Sequence, residues 1–226
     1  GCGIEAPPPV DPPPAGRTSF RFDPIAVSGV TPRWGATVSG AHLLGGVDDS
    51  MAVSDEVFSI GHADEAMQGA TIGALDVPRF CGCAFFDEGR RELVVLGGRD
   101  DFFRDETTAM LINVDTGEPT ALEQGGAADH PVGCMAYFSS SNDRGYVFGG
   151  ANQSGFSSDT WRYDPEARSF TRLDIAGPSA RYDGGVVPLA GGGAHLVVGR
   201  GRVEVEEGLD ASAHWGHLTV CVLSEL

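Results

Sequence analysis

The sequence predicts an all-β fold built from four similar repeats, and three observations carry this prediction. Short apolar segments separated by turn residues run through most of the 226-residue chain, which contains 33 glycines and 14 prolines. Double glycines close three of these segments at intervals of 52 residues, at Gly45-Gly46, Gly97-Gly98 and Gly149-Gly150. A period of about 50 residues with four short strands per period is typical of an architecture in which each repeat forms one small sheet.

Each repeat contains the same succession of predicted strands. The first strands are expected in residues 32–38, 78–86, 130–138 and 180–189. The second strands end at the glycine pairs, and the segment HLVVGRG at 195–201 takes that place in the fourth repeat. The third strands are expected at 55–60, 109–115, 159–164 and 217–223, and the fourth at 70–75, 118–122 and 169–175. We expect the paired glycines to turn the chain with a positive φ, where a Cβ atom would clash.

The third repeat is the most complete. Its second strand ends in Tyr146–Gly150, and a loop of small polar residues leads to Trp161 and then to Tyr163-Asp164-Pro165. This arrangement resembles a kelch repeat, and the resemblance extends over residues 20–226. It implies a β-propeller of about four kelch-like blades, at the low end of the range for propellers. It also implies that Trp161 packs between neighbouring sheets.

The fourth repeat lacks a predicted fourth strand. In residues 18–25, Phe20 and Phe22 alternate with polar neighbours, which predicts one isolated strand. In propellers that the chain resembles, an N-terminal strand often completes the last blade and so removes an exposed sheet edge. We therefore expect residues 18–25 to close the ring. The alternatives are a homodimer that shares one larger ring and a segment of an incomplete propeller.

Residues 1–17 differ in composition from the rest of the chain. They are rich in proline and lack a hydrophobic pattern, which predicts an extended tether before the 18–226 propeller domain. Cys2 followed by such a tether resembles the start of a mature bacterial lipoprotein. The resemblance implies a preceding signal peptide, a lipid on Cys2 as the sole membrane attachment, and a location at the periplasmic or extracellular face of the cell envelope. The alternative is an incidental cysteine.

The charge of the chain is strongly acidic. Thirty-two acidic residues stand against 15 basic ones, which gives a formal net charge of −17. Phosphate recognition requires a basic face, so this balance argues against nucleic acid as a partner. Arg33, Arg79 and Arg181 recur where the repeats open. They either bind an anion near the central channel or, as shared structural residues, pair with carboxylates or cap carbonyl groups between blades.

The loops between second and third strands are expected on one rim of a kelch-like propeller, where function usually resides. Acidic pairs fall in register in two of these loops, and two phenylalanines follow the second pair. An acidic rim with exposed aromatics suits a cationic partner or, more weakly, Ca²⁺, although the spacing does not match a calcium loop. The alternatives are aspartates that only keep the loops soluble, and phenylalanines of which one or both tuck under the loop. The predicted partner-binding residues are Asp48, Asp49, Asp100, Asp101, Phe102 and Phe103.

Five cysteines are present, and none lies in a spacing typical of zinc sites. Cys83 and Cys134 occupy comparable places on the first strands of adjacent repeats, and Cys81 lies two residues before Cys83. A disulfide from Cys134 to Cys83 or Cys81, buried thiols and a metal site that includes His130 are the three interpretations.

The resemblance implies a non-enzymatic module that binds another protein through one propeller rim, without a cofactor. That expectation rests on analogy with proteins of similar fold. The alternatives from other classes are a propeller enzyme similar to a sugar oxidase and a carbohydrate-binding module. The enzyme would need tyrosine and histidine ligands for copper, and the carbohydrate-binding module would use exposed aromatics such as Phe102, Trp34 or Trp215.

Overall fold

The computed structural model describes residues 27–63, 66–122, 132–153, 155–175, 180–182, 184–188, 194–197, 200–201 and 220–223. These residues form β-strands and the turns that connect them, and none of them lies in a helix. The all-β prediction is confirmed for this part of the chain. The predicted strand at 18–25 lies outside it, as do Cys2, His130 and the tether.

The first repeat forms a sheet of five strands and one short accessory pair. Its strands are β1 (Val27–Ser28), β2 (Arg33–Trp34), β3 (Thr37–Ser39), β4 (His42–Leu44), β5 (Val47–Asp48), β6 (Glu56–Ala63) and β7 (Ala66–Ala74). The sheet has the order β3-β4-β6-β7-β1, and β1 runs parallel to β7 while the other pairs are antiparallel. The strands β2 and β5 pair with each other beside it.

The second and third repeats each form a four-stranded antiparallel sheet in which consecutive strands are neighbours. The second contains β8 (Cys83–Asp87), β9 (Glu92–Leu96), β10 (Ala109–Asn113) and β11 (Pro119–Ala121). The third contains β12 (Met135–Ser139), β13 (Arg144–Phe148), β14 (Ala151–Asn152), β15 (Gly155–Phe156), β16 (Thr160–Asp164) and β17 (Ser169–Leu173). Its sheet has the order β12-β13-β16-β17, and β14 and β15 form a separate hairpin.

The described part of the fourth repeat follows the same plan. It contains β18 (Arg181–Tyr182), β19 (Gly185–Pro188), β20 (Ala194–Val197), β21 (Arg200–Gly201) and β22 (Val220–Leu223). The strands β19, β20 and β22 form an antiparallel sheet in that order, while β18 pairs with β21. The second, third and fourth strands of the repeats lie where the sequence places them.

The predicted first strands are shorter than expected, and the structure gives the reason. Each expected segment splits in two at a residue with a left-handed backbone: Gly35 at φ 64°, Cys81 at φ 53° and Gly133 at φ 64° in the first three repeats. Residues before this point pair with the loop after the second strand, and residues after it enter the sheet. A positive φ breaks the extended backbone, so one continuous strand cannot form.

The sheets pack face to face because side chains alternate along each strand. In the second sheet, Val94 and Leu96 face the third sheet, where they join Val147 and Tyr163 in one buried cluster. Leu93 and the other alternate residues face the first sheet in a second cluster. The second sheet is therefore buried on both faces, which explains its nearly continuous apolar strands. Burial of each such side chain contributes about 1.5–3 kcal/mol.

The third sheet has the same two-sided packing. Trp161 is partly buried and packs against the cluster between the second and third sheets, as predicted. On the opposite face, Met135 and Phe148 form a third cluster with Val186 of the fourth sheet. Each sheet thus covers the apolar face that its neighbour presents.

The first strands of successive sheets lie side by side around one cavity. The strand β8 packs between β3 and β12, and β12 also contacts β19. The cavity has a volume of about 360 Å³ and is lined by residues 35–38, 81–84, 133–136 and 184–186, one segment from each repeat. At its wall the backbone of one repeat bonds to the next: Cys81 N donates to Gly35 O at 2.6 Å, and Gly133 N to Cys81 O at 2.7 Å.

The double glycines have the same conformation in three repeats. The first glycine of each pair has φ between 58° and 68°, and the second has φ of 96° or 97°. A Cβ atom at Gly45 would collide with the carbonyl oxygen of Arg79 in the next repeat, and one at Gly98 would lie 2.9 Å from the carbonyl oxygen of Phe80. The glycines are therefore required both by conformation and by the close approach of another backbone segment.

Two of the recurring arginines hold these glycine turns. Arg33 Nη1 donates to Gly45 O at 3.1 Å, and Arg79 Nη1 donates to Gly97 O at 3.2 Å. Both side chains are buried, and each also pairs with a carboxylate, Arg33 with Glu56 and Arg79 with Asp76. The structural interpretation is confirmed for these two arginines, although each caps a carbonyl of its own repeat.

A disulfide joins Cys83 to Cys134, with a Cα–Cα distance of 5.5 Å. Cys83 pairs across its sheet with Leu96, and the same place in the third repeat belongs to Met135, not to Cys134. The two cysteines are thus offset by one residue. Because equivalent residues of stacked sheets face the same way, only such an odd offset points the two sulfur atoms at each other.

We predict that Gly45→Ala destabilises the protein far more than Gly40→Ala. The two glycines have nearly the same φ, 59° and 57°, but a Cβ at Gly40 would meet no atom within 4 Å. Gly40→Ala should lower the free energy of unfolding by about 1 kcal/mol, the penalty of a left-handed alanine. Gly45→Ala should lower it by about 3 kcal/mol, because Arg79 must also move. Urea unfolding of both variants measures the difference, and equal losses would contradict the close-approach argument.

Candidate functional site

One edge of the sheets carries a feature that recurs in all four repeats. There, the residues just before the first strand pair with the residues just after the second strand. The four pairings are β2 with β5, Phe80 with Arg99, Val132 with Ala151, and β18 with β21. The loops to the third strands leave from the same edge. We call this edge the loop rim, and in the first three repeats it comprises residues 32–35, 47–54, 78–81, 99–108, 132–133, 151–153 and 155–159.

The loops of the first two repeats are built in the same way around an aspartate. Asp48 N donates to Ala52 O at 3.0 Å, and Asp100 N donates to Arg104 O at 3.1 Å. Each carboxylate then accepts backbone N–H bonds from the residues two and four positions later, at 2.8 to 3.0 Å. These two aspartates of the predicted acidic face therefore shape their own loops, a role typical of aspartate in turns.

The electrostatics of the two carboxylates follow from these contacts. Hydrogen bonds from Ser50 and then from the backbone of Ala52 hold the pKa of Asp48 below its ordinary value. Burial acts to raise the pKa of Asp100, but hydrogen bonds from the Arg104 side chain and backbone outweigh it, so that this pKa is also lowered. Both groups are ionised at neutral pH, and the charged carboxylates accept hydrogen bonds from their own loops.

The second residue of each acidic pair faces solvent instead. Asp49 and Asp101 are both exposed, and within the described residues neither forms an ion pair. The rim arginines are already engaged: Arg104 pairs with Asp100, and Arg99 with Asp105. The uncompensated charge of these loops is therefore negative. Partner binding by the six predicted residues stays a prediction, and the structure leaves Asp49 and Asp101 as the solvent-facing carboxylates.

The tips of the two loops expose large apolar side chains. Phe102 is 70 % exposed, Phe103 59 % and Met51 62 %. Phe103 packs edge-on against the buried Phe80, with ring centroids 5.4 Å apart, and Phe80 also contacts the half-exposed Trp34. The sequence prediction for Phe102 and Phe103 left open whether they tuck under the loop, and both are exposed.

Sequence reasoning missed two members of this surface. Met51 occupies the place in the first loop that Phe103 occupies in the second, and Phe156 is exposed in the loop of the third repeat. Alignment of the loops at the 52-residue period would have shown Met51 opposite Phe103. Nothing in the period indicates Phe156, because it lies one position further along its loop and belongs to the separate hairpin of β14 and β15.

Met51 and Phe103 are held in an unfavourable backbone conformation. Their φ angles are 67° and 58°, in the left-handed region that bulky residues seldom adopt. Each costs about 1–2 kcal/mol relative to an ordinary conformation. The corresponding position in the third repeat is Gly155, with φ 128°. Glycine adopts the left-handed conformation of the first two loops without this cost, so the large apolar side chains there add strain that the turn itself does not require.

Adjacent loops are tied together on the rim. Gln153 N, in the third repeat, donates to Asp105 Oδ2 in the second at 3.0 Å, and the other carboxylate oxygen of Asp105 accepts from Arg99. On the far side, the Phe156 ring stacks on Tyr182 of the fourth repeat at 5.0 Å. The exposed side chains thus belong to one connected surface that extends over several repeats.

Three of the four tyrosines, the residues that a copper oxidase would need as ligands, lie in the strands of the third sheet and not on the loop rim. Tyr163 is buried in the core, and burial raises its pKa to about 12. Tyr137 stacks on Tyr146 within the third sheet. Within the described ranges, no group of three or more histidine, cysteine or acidic residues is arranged to hold a metal ion. In the fourth repeat, the sequence has a third acidic segment after the second strand, with Glu204, Glu206, Glu207 and Asp210, and it lies outside those ranges.

Comparison with known proteins adds no family to this picture. A scan of protein-family models found no match to the chain, and a search of curated proteins found no significant match.

Within the described residues, no helix is long and apolar enough to cross a membrane.

We predict that Asp100 gives the protein part of its resistance to acid. Its pKa is lowered in the folded state, so its stabilisation is fully present above the unfolded value of about 4 and disappears as the pH falls through the lower folded pKa. Asp100→Asn should therefore lower the free energy of unfolding at pH 7, and the difference from the parent protein should shrink as the pH is lowered from 4 to 3.

Asp101→Asn is the matched control, because it removes a neighbouring exposed carboxylate that supports no loop contact. Urea unfolding at a series of pH values from 7 to 3 measures both variants. If Asp101→Asn changed the pH dependence as much as Asp100→Asn does, the assignment of this effect to the loop aspartate would be wrong.

Proposed function

We propose that the chain is a non-enzymatic protein-binding module whose contact surface is the loop rim. The observation that carries this proposal is the pair of equivalent loops that expose Met51 and Phe103 in a strained conformation. Turn residues such as Arg91 and Arg168 share this backbone conformation, but at Met51 and Phe103 it coincides with exposed apolar side chains. Such side chains grouped on one edge are typical of interaction surfaces. The carboxylates of Asp49 and Asp101 border these side chains and would give the contact its polar part.

For the architecture, we propose a propeller of four kelch-like blades. Four repeats each contribute a meander of strands, and their first strands line a common cavity. Side-chain clusters join the first sheet to the second, the second to the third, and the third to the fourth. In this proposal the strand at 18–25 completes the fourth blade. Closure would protect the last sheet edge from pairing with other chains.

For the location, we propose the cell envelope, with a lipid on Cys2 and the proline-rich tether between membrane and propeller. The disulfide between Cys83 and Cys134 supports an oxidising compartment, because such bonds are rare in the cytosol. A preceding signal peptide would deliver the chain there. The partner would then be reached from the periplasmic or extracellular face.

Carbohydrate binding is a second candidate, and the half-exposed Trp34 is the observation that favours it. An aromatic ring with an open face can receive the apolar side of a sugar ring. The loop rim that contains Trp34, however, also carries exposed carboxylates and strained apolar side chains, which a sugar does not require. Protein binding therefore accounts for more of the rim than sugar binding does.

A photo-crosslinking amino acid placed at position 102 tests protein binding in the cell that produces the chain. We expect a discrete protein adduct from position 102, because Phe102 is the most exposed aromatic of the rim. The same amino acid at position 88, on the turn between β8 and β9 at the opposite edge, should give none. Equal adducts at both positions, or none at either, would contradict the proposal.

We predict that residues 1–226 form a monomer in solution, because the proposed ring closes within one chain. Light scattering on a sizing column measures the mass directly, against a monomer mass of 23.6 kDa. Phe20→Asp with Phe22→Asp should destabilise the monomer if residues 18–25 complete the last blade. A stable dimer of the parent chain, or an unchanged unfolding midpoint of the double variant, would contradict closure by this strand.

A further inference from the structure

We infer that the loop rim binds a cationic segment of a partner protein that also carries large apolar side chains. This inference rests on the proposed function and names the chemistry of its partner. It follows from what the rim exposes and from which of its charges are already paired.

The loop rim exposes large apolar side chains at several separate places. These side chains come from three loops and from the segment before β3. They are Met51 in the first loop, Phe102 and Phe103 in the second, Phe156 in the third, and Trp34 before β3. Aromatic and methionine side chains are the types enriched where proteins contact one another. Because they are distributed over three repeats, a ligand that touches them all must be extended, as a polypeptide segment is.

The uncompensated charges of the loop rim are carboxylates. The arginines of the rim are used internally: Arg33 by Glu56, Arg79 by Asp76, Arg99 by Asp105 and Arg104 by Asp100. Arg104 also lies over the ring of Phe102, with its guanidinium carbon 4.8 Å from the centroid. Asp49 and Asp101 are left facing solvent on the same rim. Burial of a partner against them is favourable only if that partner supplies positive charge.

The charge of the whole chain points the same way. A formal net charge of −17 attracts cations and repels phosphate groups and other acidic chains at a distance. An acidic partner would have to approach against this field and then bury Asp49 and Asp101 beside its own carboxylates. A basic segment gains from both effects. The partner segment is therefore expected to be positively charged as well as apolar.

The test measures fluorescence anisotropy of labelled 12-residue peptides with the full chain. The probe peptide alternates arginine and leucine; one control peptide alternates glutamate and leucine, and another alternates arginine and serine. We expect the arginine–leucine peptide to bind at least tenfold more tightly than either control. Binding should also weaken as salt is raised from 50 to 500 mM, since exposed charges are screened. Equal binding of the glutamate–leucine peptide would overturn the inference.

Variants then locate the contact. Met51→Gly with Phe103→Gly should weaken binding of the arginine–leucine peptide about tenfold, a difference of about 1.4 kcal/mol. The free energy of unfolding should not fall greatly, because glycine relieves the left-handed strain. Val38→Thr is the apolar control, since Val38 is as exposed but lines the cavity. A loss caused by Val38→Thr and not by the glycine variants would overturn the inference in favour of the cavity.

Charge variants separate rim electrostatics from the charge of the whole chain. Asp49→Asn with Asp101→Asn should weaken binding and flatten its dependence on salt. Glu88→Gln with Glu166→Gln removes the same number of charges from two exposed residues in turns at the opposite edge, and should leave binding unchanged. Equal effects of the two pairs would overturn the assignment of the cationic contact to the rim.

Failure of this inference is distinguishable from failure of the proposed function. A protein adduct from position 102, together with no preference for the arginine–leucine peptide, would overturn the cationic partner and leave the rim as a protein-binding surface. No adduct and no peptide preference would overturn both. An adduct together with rim-dependent binding of the cationic peptide would support both.

Discussion

The constraint on which the rest of this structure depends is the double glycine turn that ends the second strand in each of the first three repeats. It reverses the chain within two residues and directs the following loop across the segment that precedes the first strand. Gly46 N donates to Arg79 O at 2.9 Å, so the turn of one repeat is bonded to the opening of the next. The arginine that donates to the first glycine carbonyl fixes the same turn from its own repeat. A side chain on the first glycine would separate these backbones, and the loop rim would lose its support.

The two-residue period of the strands decides how the repeats stack. One set of alternate residues in the second sheet faces the first sheet, and the other set faces the third. This requirement explains why that sheet has few polar residues and why the disulfide joins cysteines that are not equivalent in the repeat. A polar side chain at an interior position of β9 or β10 would have to be buried on either face, since neither face meets water.

Much of the fold could be predicted from the sequence, because glycine pairs and apolar alternation report backbone conformation directly. Less of the site could be predicted, and particular residues show why. The 52-residue period shows that Asp48 and Asp100 are equivalent positions. Whether a carboxylate faces solvent or its own loop depends on loop conformation, which the period does not give. From the sequence, Cys134 could have bonded Cys81 or Cys83, since both fall in one predicted first strand, and the left-handed backbone at Cys81 that ends this strand has no sequence signal. The left-handed backbone of Met51 and Phe103 has no sequence signal, because glycine or asparagine is the residue expected there.

The third repeat shows that the exposed tips are not required by the fold. Its loop has glycine where the other two have methionine and phenylalanine, yet its sheet packs on the second sheet with the same glycine turn before the loop. Selection for stability alone would favour glycine in all three loops, since a large side chain there adds strain and exposes apolar surface. The two loops that keep such side chains lie next to each other, beside Phe80 and Trp34. A left-handed backbone also occurs at Arg91 and Arg168, in turns at the opposite edge, but there the side chains are charged. Among the described residues, the combination of this conformation with an exposed large apolar side chain occurs in these two loops alone, as expected if their surface is used for binding.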